Sequence, residues 1–247
     1  LEKTFGTSDT GTNPFQRFNV INHSGDFIAW DYNSGSGTGS GLYGARRSGT
    51  TWTRETIGAS LGRAGMSGDG NTIWHHGAGT TLKRWQYSSG SWTETSFTSP
   101  QTLSSNGMGP VVNYDGTEII ICHNAAASSA GEAYRLTVSG STLSSVQETF
   151  GATGALVFTI SEGGGSTHSI SKNGLTLCLY ARYPDANSLS GGDQGKFYIY
   201  RRASTSSNFG TAAYTYVPST TGAVFAGSIS QISDDGTRVA FGANVDN

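Results

Sequence analysis

One short turn motif recurs five times along the 247-residue sequence, and it limits the fold more than any other feature. Each copy ends in a glycine, and in four copies the residue before that glycine is Asp or Asn. Asp-Gly and Asn-Gly pairs favour tight hairpin turns because glycine adopts positive φ angles without steric cost. The copies are His23-Ser24-Gly25, Gly68-Asp69-Gly70, Tyr114-Asp115-Gly116, Lys172-Asn173-Gly174 and Asp234-Asp235-Gly236.

A strand pattern follows every copy of the turn. The positions three and five residues after the glycine are apolar in nine of ten cases. Alternate apolar positions indicate a strand with one buried face. The ten residues are Ile28, Ile73, Ile119, Leu177 and Val239, then Trp30, His75, Ile121, Leu179 and Phe241.

The repeat length predicts the architecture. Successive glycines are 45, 46, 58 and 62 residues apart, which fits a four-stranded propeller blade with loop insertions. We therefore expect an all-β, single-domain β-propeller of about five four-stranded blades over residues 1–247. The predicted units are 8–57, 58–98, 99–150, 151–217 and 218–247, the last completed by strand 1–7, which would close the ring. The alternative is a piece of a longer chain with more blades.

Composition excludes several classes of protein. Charged residues make up 13% of the chain and the formal net charge is -2, so no basic face for nucleic acid is expected. No apolar run reaches the length of a membrane span, so no membrane insertion is expected. Cys122 and Cys178 lack metal-ligand spacing and are expected to be buried free thiols.

Several segments resemble FG-GAP repeats, which build integrin-α-like β-propellers. The similar segments are 67–73, 233–243 and Arg46–Trp52. The resemblance implies a propeller of the kind found in microbial surface and secreted proteins and in large viruses. Two family features are absent: the Phe-Gly pair before the first strand and the calcium loop of the Asp-x-Asp-x-Asp-Gly type.

Acidic residues offer few metal ligands. Calcium needs six to eight oxygen ligands, usually from several carboxylates in one loop. Asp234 and Asp235 are adjacent, and Asp185 and Asp193 fall in one predicted loop, but turn formation explains Asp before Gly without a metal. We expect no cofactor. The alternative is a calcium ion bound at Asp234 and Asp235 or at Asp185 and Asp193. His75 and His76 point to opposite faces of a strand, and His75 is expected to lie in the core.

Aromatic and arginine residues offer the best candidate ligand-binding surface. Trp52, Trp85 and Trp92 recur near Arg46 and Arg84, and such groups bind sugars. The alternative is that these aromatic residues pack one blade on the next.

These observations predict a non-catalytic protein of an extracellular, cell or virion surface that acts in adhesion, recognition or assembly. Its expected partners are neighbouring proteins of that surface, or glycans. A carbohydrate-binding lectin is the alternative, and a propeller glycoside hydrolase comes third. The sequence disfavours the hydrolase hypothesis, because glycoside hydrolysis needs two positioned carboxylates and no such pair can be identified in the sequence.

Overall fold

The structure is a computed structural model that describes residues 19–32, 41–59, 64–76, 79–103, 109–124, 131–150, 168–181, 196–216 and 230–241. Within these ranges every helix or strand is a β-strand, and the strands form five antiparallel sheets in chain order. The all-β prediction is confirmed for these residues. The described ranges contain no helix long and apolar enough to cross a membrane.

The first, second and fourth sheets are meanders whose strands pair in chain order, and the third departs from that order only at its last strand. The first sheet holds β1 (Asn19–Ile21), β2 (Phe27–Tyr32), β3 (Gly41–Ser48) and β4 (Thr51–Gly58). The second holds β5 (Ala64–Met66), β6 (Thr72–His76), β7 (Gly79–Ser88) and β8 (Ser91–Leu103). The third holds β9 (Val111–Val112), β10 (Glu118–Asn124) and β11 (Gly131–Ser139), with β12 (Thr142–Leu143) and β13 (Glu148–Phe150) both on the far side of β11.

The fourth sheet holds β14 (Ser169–Ile170), β15 (Thr176–Ala181), β16 (Lys196–Arg201) and β17 (Tyr214–Tyr216). The fifth has two described strands, β18 (Ser230–Ile232) and β19 (Val239–Phe241). Strand β8 runs to Leu103, so the second sheet extends beyond residue 98, where the sequence pattern placed the end of the second unit. The predicted closing strand, 1–7, lies outside the described residues.

The five repeated turns share one hydrogen-bond pattern. In the structure each turn begins one residue before the copies given above, and this first residue donates and accepts hydrogen bonds across a six-residue hairpin. Its backbone N–H donates to the carbonyl five residues on at 2.8–3.0 Å. Its side-chain oxygen accepts that residue's N–H at 2.9–3.0 Å. These first residues are Asn22, Ser67, Asn113, Ser171 and Ser233. The turn glycines have φ of +70° to +75°, which explains why glycine is used there.

The core consists of layers between successive sheets. Alternate residues of each inner strand face the preceding sheet and the following sheet, so both faces of the central sheets are buried. The layer between sheets one and two includes Phe27, Leu42, Ile57, Ile73 and Trp85. The next includes Trp74, Leu82, Phe97, Ile119 and Leu136. The third includes Ile120, Cys122, Phe150, Leu177 and Tyr200, and the fourth Cys178, Tyr180, Phe197, Ile199 and Val239.

Candidate binding surfaces

The turns of different sheets meet in a polar group that we call the axial cluster: His23, Gly68, Tyr114, Lys172 and Asp234. All five are the second residue of their turn. The Asp234 carboxylate lies 2.8 Å from Nδ1 of His23 and 3.7 Å from Nζ of Lys172. The Lys172 ammonium is also 4.8 Å from the centre of the Tyr114 ring. The cluster therefore joins the turns of sheets one, three, four and five through their side chains.

Backbone contacts support the same arrangement. The His23 N–H donates to the Gly68 carbonyl at 2.9 Å, and the Asp69 N–H donates to the Tyr114 carbonyl at 3.0 Å. The Asn173 N–H is 3.3 Å from the Asp234 carbonyl. A Cβ atom on Gly68 would lie 2.5 Å from the Tyr114 side chain and 2.8 Å from that of His23. Glycine is therefore needed there for the two rings to approach each other.

Two of the predicted ligand-binding residues, Arg46 and Trp92, share one carboxylate. The Arg46 guanidinium lies between the rings of Phe27 and Tyr87, at 4.3 and 4.1 Å, and its Nε donates to Glu55 at 3.1 Å. The indole N–H of Trp92 donates to the other Glu55 oxygen at 2.8 Å. These contacts connect sheets one and two, so the Arg46 charge and both faces of its guanidinium are already engaged within the chain.

The other predicted residues are placed separately. Trp85 is 1% exposed in the layer between sheets one and two, so its ring offers no surface to a ligand. Arg84 is buried beside Trp74 and Phe97, and this burial lowers the pKa of its guanidinium. Trp52 is half-buried on β4, with the Arg47 guanidinium 5.9 Å from its ring centre. The structure thus does not bring the five predicted residues into one pocket.

The acidic residues of the fifth turn make protein contacts. Asp234 belongs to the axial cluster, and Asp235 accepts hydrogen bonds from Ser233 Oγ and from the N–H and hydroxyl of Thr237. These bonds, the one from Ser233 first, lower the pKa of Asp235 to about 2. Asp185 and Asp193 lie outside the described residues. Among described residues, no group of three or more His, Cys, Asp and Glu is arranged to hold a metal.

A buried ionic network between sheets three and four was not found by sequence reasoning. Glu118 accepts two bonds from Arg202, at 2.9 and 2.8 Å, and one from Arg135 at 3.0 Å. Arg135 also pairs with Glu148 at 3.3 Å, and Glu148 accepts the Phe209 N–H at 3.0 Å. The four charges balance, and they fix the segment after Arg202 against the third sheet. The sequence signal for this network was Glu118, a charged residue directly before the apolar strand residues that begin at Ile119.

Histidine and cysteine side chains fill buried positions. His75 is buried, which confirms its predicted core position, and His76 and His168 are buried as well. Burial lowers the pKa of His168 to about 3, and its Nδ1 accepts the Tyr180 N–H at 3.0 Å. Cys122 and Cys178 are free and buried, as predicted. Burial raises the pKa of both thiols, that of Cys178 to about 12.

Solved structures similar to this one share its fold. One is TolB from Acinetobacter baumannii, with a TM-score of 0.52 and 13% identity over 90% of this chain. Another is a putative TolB from Agrobacterium tumefaciens, with a TM-score of 0.53 and 15% identity over 96% of this chain. This chain spans 47% of the first protein and 77% of the second. The likeness shows a β-propeller fold and concerns the fold alone.

Sequence comparisons give no family. No protein-family model matches the chain. No curated protein sequence matches it either.

Proposed function

We propose that this chain is a non-catalytic recognition module: a five-bladed β-propeller, closed into a ring, that adheres or assembles at an extracellular, cell or virion surface. The observation that carries the proposal is that the acidic side chains of this chain stabilise the fold through ion pairs and turn hydrogen bonds. Glu55 and Glu118 neutralise buried or half-buried arginines, and Asp235 stabilises a turn. Side chains committed in this way hold sheets together and are poorly suited to general acid–base work.

Two further observations support the proposal. The pair between His23 and Asp234 joins the turn of the first sheet to that of the fifth, as a closed ring requires. Segments 67–73, 233–243 and Arg46–Trp52 also resemble FG-GAP repeats, which occur in microbial surface and secreted proteins and in large viruses. The closing of the last blade by strand 1–7 is part of this proposal.

Carbohydrate binding is the second candidate. It is favoured by the aromatic side chains on the outer strands of sheets one and two, where Trp52 and Trp92 are half-buried rather than enclosed. These rings present partial faces at the surface, as a shallow sugar site needs. A lectin would be one form of the same recognition function.

The test is a glycan-array screen of the purified chain, run with calcium and with a chelator, together with sedimentation to detect self-association. Saturable binding with the glycan recovered intact, or defined self-association, supports the proposal. Turnover of a bound glycan overturns the non-catalytic assignment. A blank array with a strictly monomeric chain overturns glycan recognition and self-assembly, and leaves adhesion to another protein as the form of recognition. Loss of binding in chelator assigns calcium to the site.

A further inference from the structure

An open groove lies between the fourth and fifth sheets. Its described lining residues are Ile199, Arg201, Ala213, Tyr214, Thr237 and Val239, and its volume is about 450 Å³. The groove continues the apolar layer formed by Phe197, Ile199 and Val239. Its volume falls within the range of small-molecule sites, which is roughly 300–1,000 Å³.

The first sheet has an arginine at the position equivalent to Arg201, and its contacts show which groups surround an arginine there. Arg46 pairs with Phe27 on β2, and Arg201 pairs with Thr176 on β15; both Phe27 and Thr176 are the residue five after the start of the turn. Arg46 and Arg201 are therefore equivalent. In the first sheet the guanidinium has a carboxylate at 3.1 Å and aromatic rings at 4.1 and 4.3 Å. This position thus holds an arginine, a carboxylate and flat rings together.

The fourth sheet has the arginine but not the carboxylate. Glu55 pairs with Gly44 on β3, and Tyr214 pairs with Ile199 at the equivalent place on β16. Tyr214 therefore stands where the first sheet has Glu55. Within the described part of the chain, no side chain makes a hydrogen bond or ion pair with the exposed Arg201 guanidinium. Tyr214 is 60% exposed, whereas most large hydrophobic residues in the described part of the chain are buried or half-buried.

We infer that this groove binds an acidic saccharide, a sugar ring that carries a carboxylate, through Arg201 and Tyr214. The ligand carboxylate would take the place of Glu55 and neutralise Arg201 by charge-assisted hydrogen bonds. The sugar ring would pack on the exposed face of Tyr214, which is both apolar and flat. The inference rests on the proposed recognition function and specifies its ligand class and site.

The test is a nuclear magnetic resonance titration of the full chain with methyl β-D-glucuronide and with methyl β-D-glucoside, which differ only by the carboxylate. We expect the glucuronide to bind at least about tenfold more tightly, because a charge-assisted pair contributes roughly that factor. The variants Arg201→Gln and Tyr214→Ala should each weaken glucuronide binding by about tenfold. Arg54→Gln, on the outer strand of sheet one, removes one positive charge elsewhere and should leave binding unchanged.

Each outcome decides the inference. Equal binding of the two sugars, or equal loss in Arg201→Gln and Arg54→Gln, overturns it. So does tight binding of acetyl-glutamyl-phenylalanine amide without glucuronide binding, which would make the groove a peptide site. If glycans bind the array but Arg201→Gln binds them equally well, the groove assignment fails and the recognition function stands. A blank array without glucuronide binding overturns this inference together with the lectin function. Unchanged unfolding midpoints confirm that the variants are folded.

Discussion

At the scale of single residues, the first and third positions of each turn stabilise the hairpin without help from neighbouring strands. Ser233 shows both roles: its Oγ accepts the Arg238 N–H at 3.0 Å and donates to Asp235 at 2.6 Å. The Asp235 carboxylate in turn accepts the Thr237 N–H at 3.0 Å. Such bonds between side chain and backbone explain why Asn, Ser and Asp fill these positions in every copy.

Asp235 should make stability depend on pH in the acid range. Its folded pKa of about 2 lies below the ordinary value of 3.8, so the charge stabilises the folded state above about pH 4 and this contribution is lost as the pH falls through 2. Asp235→Asn keeps an acceptor but does not titrate. Urea unfolding should therefore show wild type more stable than Asp235→Asn at pH 7, with a difference that shrinks below pH 4. A difference that does not change between pH 7 and pH 2 would contradict this role.

His168 should make stability depend on pH in a higher range, from 6.5 down to about 3. Because burial lowers its folded pKa from 6.5 to about 3, protonation favours the unfolded chain, and stability falls as the pH drops from 6.5 towards 3. The slope attributable to this residue is about 1.4 kcal/mol per pH unit. His168→Asn keeps an acceptor for the Tyr180 N–H without titrating. Its stability should fall less steeply than that of wild type between pH 6 and pH 4, and parallel curves would count against a buried neutral His168.

At the scale of elements, an arginine lies in or beside every described inter-sheet layer, but its surroundings differ. Arg46 lies between rings, Arg84 is buried beside Trp74, and Arg135 is held by two glutamates. The groove differs from the other layers because Arg201 faces it with Tyr214 in place of a carboxylate. The sheets thus repeat in backbone pattern while their side-chain contacts diverge, which favours one specialised site over a site in every blade.

Glu118 should be far more important to stability than an exposed glutamate. Glu118→Gln removes the charge that two buried arginines share, and such losses cost about 3–5 kcal/mol. Glu94→Gln breaks the partly buried Lys83–Glu94 pair between β7 and β8 of sheet two, and should cost no more than about 1 kcal/mol. Chemical denaturation of both variants checks the contrast. Equal costs would show that the network between sheets three and four contributes little.

Sequence reasoning succeeded for local features and failed for contacts between sheets. The turn glycines and the strands after them were predictable because φ preference and apolar alternation act within a few residues. Glu118 and Arg202 are 84 residues apart, and their pairing depends on which sheets stack. Trp85 and Trp92 lie on either side of one turn, yet only Trp85 is in the core, because β7 is the third strand of its sheet and β8 the outer one.

At the scale of the whole molecule, the five turns converge on one cluster, which accounts for their repetition. The second turn residues differ in chemistry, yet they fit together: Asp234 lies between His23 and Lys172, and Gly68 leaves room for Tyr114. A closed ring requires that the first and fifth sheets be neighbours, and the His23–Asp234 pair is where the described residues of those sheets meet. The proposed ring closure therefore depends on the His23 and Asp234 turns being neighbours.

Cross-linking between the first and fifth turns tests the proposed ring closure. The double variant His23→Cys, Asp234→Cys is treated at high dilution with a short bismaleimide and analysed by mass spectrometry, with His23→Cys, Ser89→Cys as the control. Cys122 and Cys178 should not interfere, because both are buried and burial raises the pKa of their thiols. Ring closure predicts an efficient intramolecular cross-link in the first variant and little in the control, where Ser89 lies in the outer turn of sheet two. Equal cross-linking in the two variants, or none in the first, would contradict a closed ring.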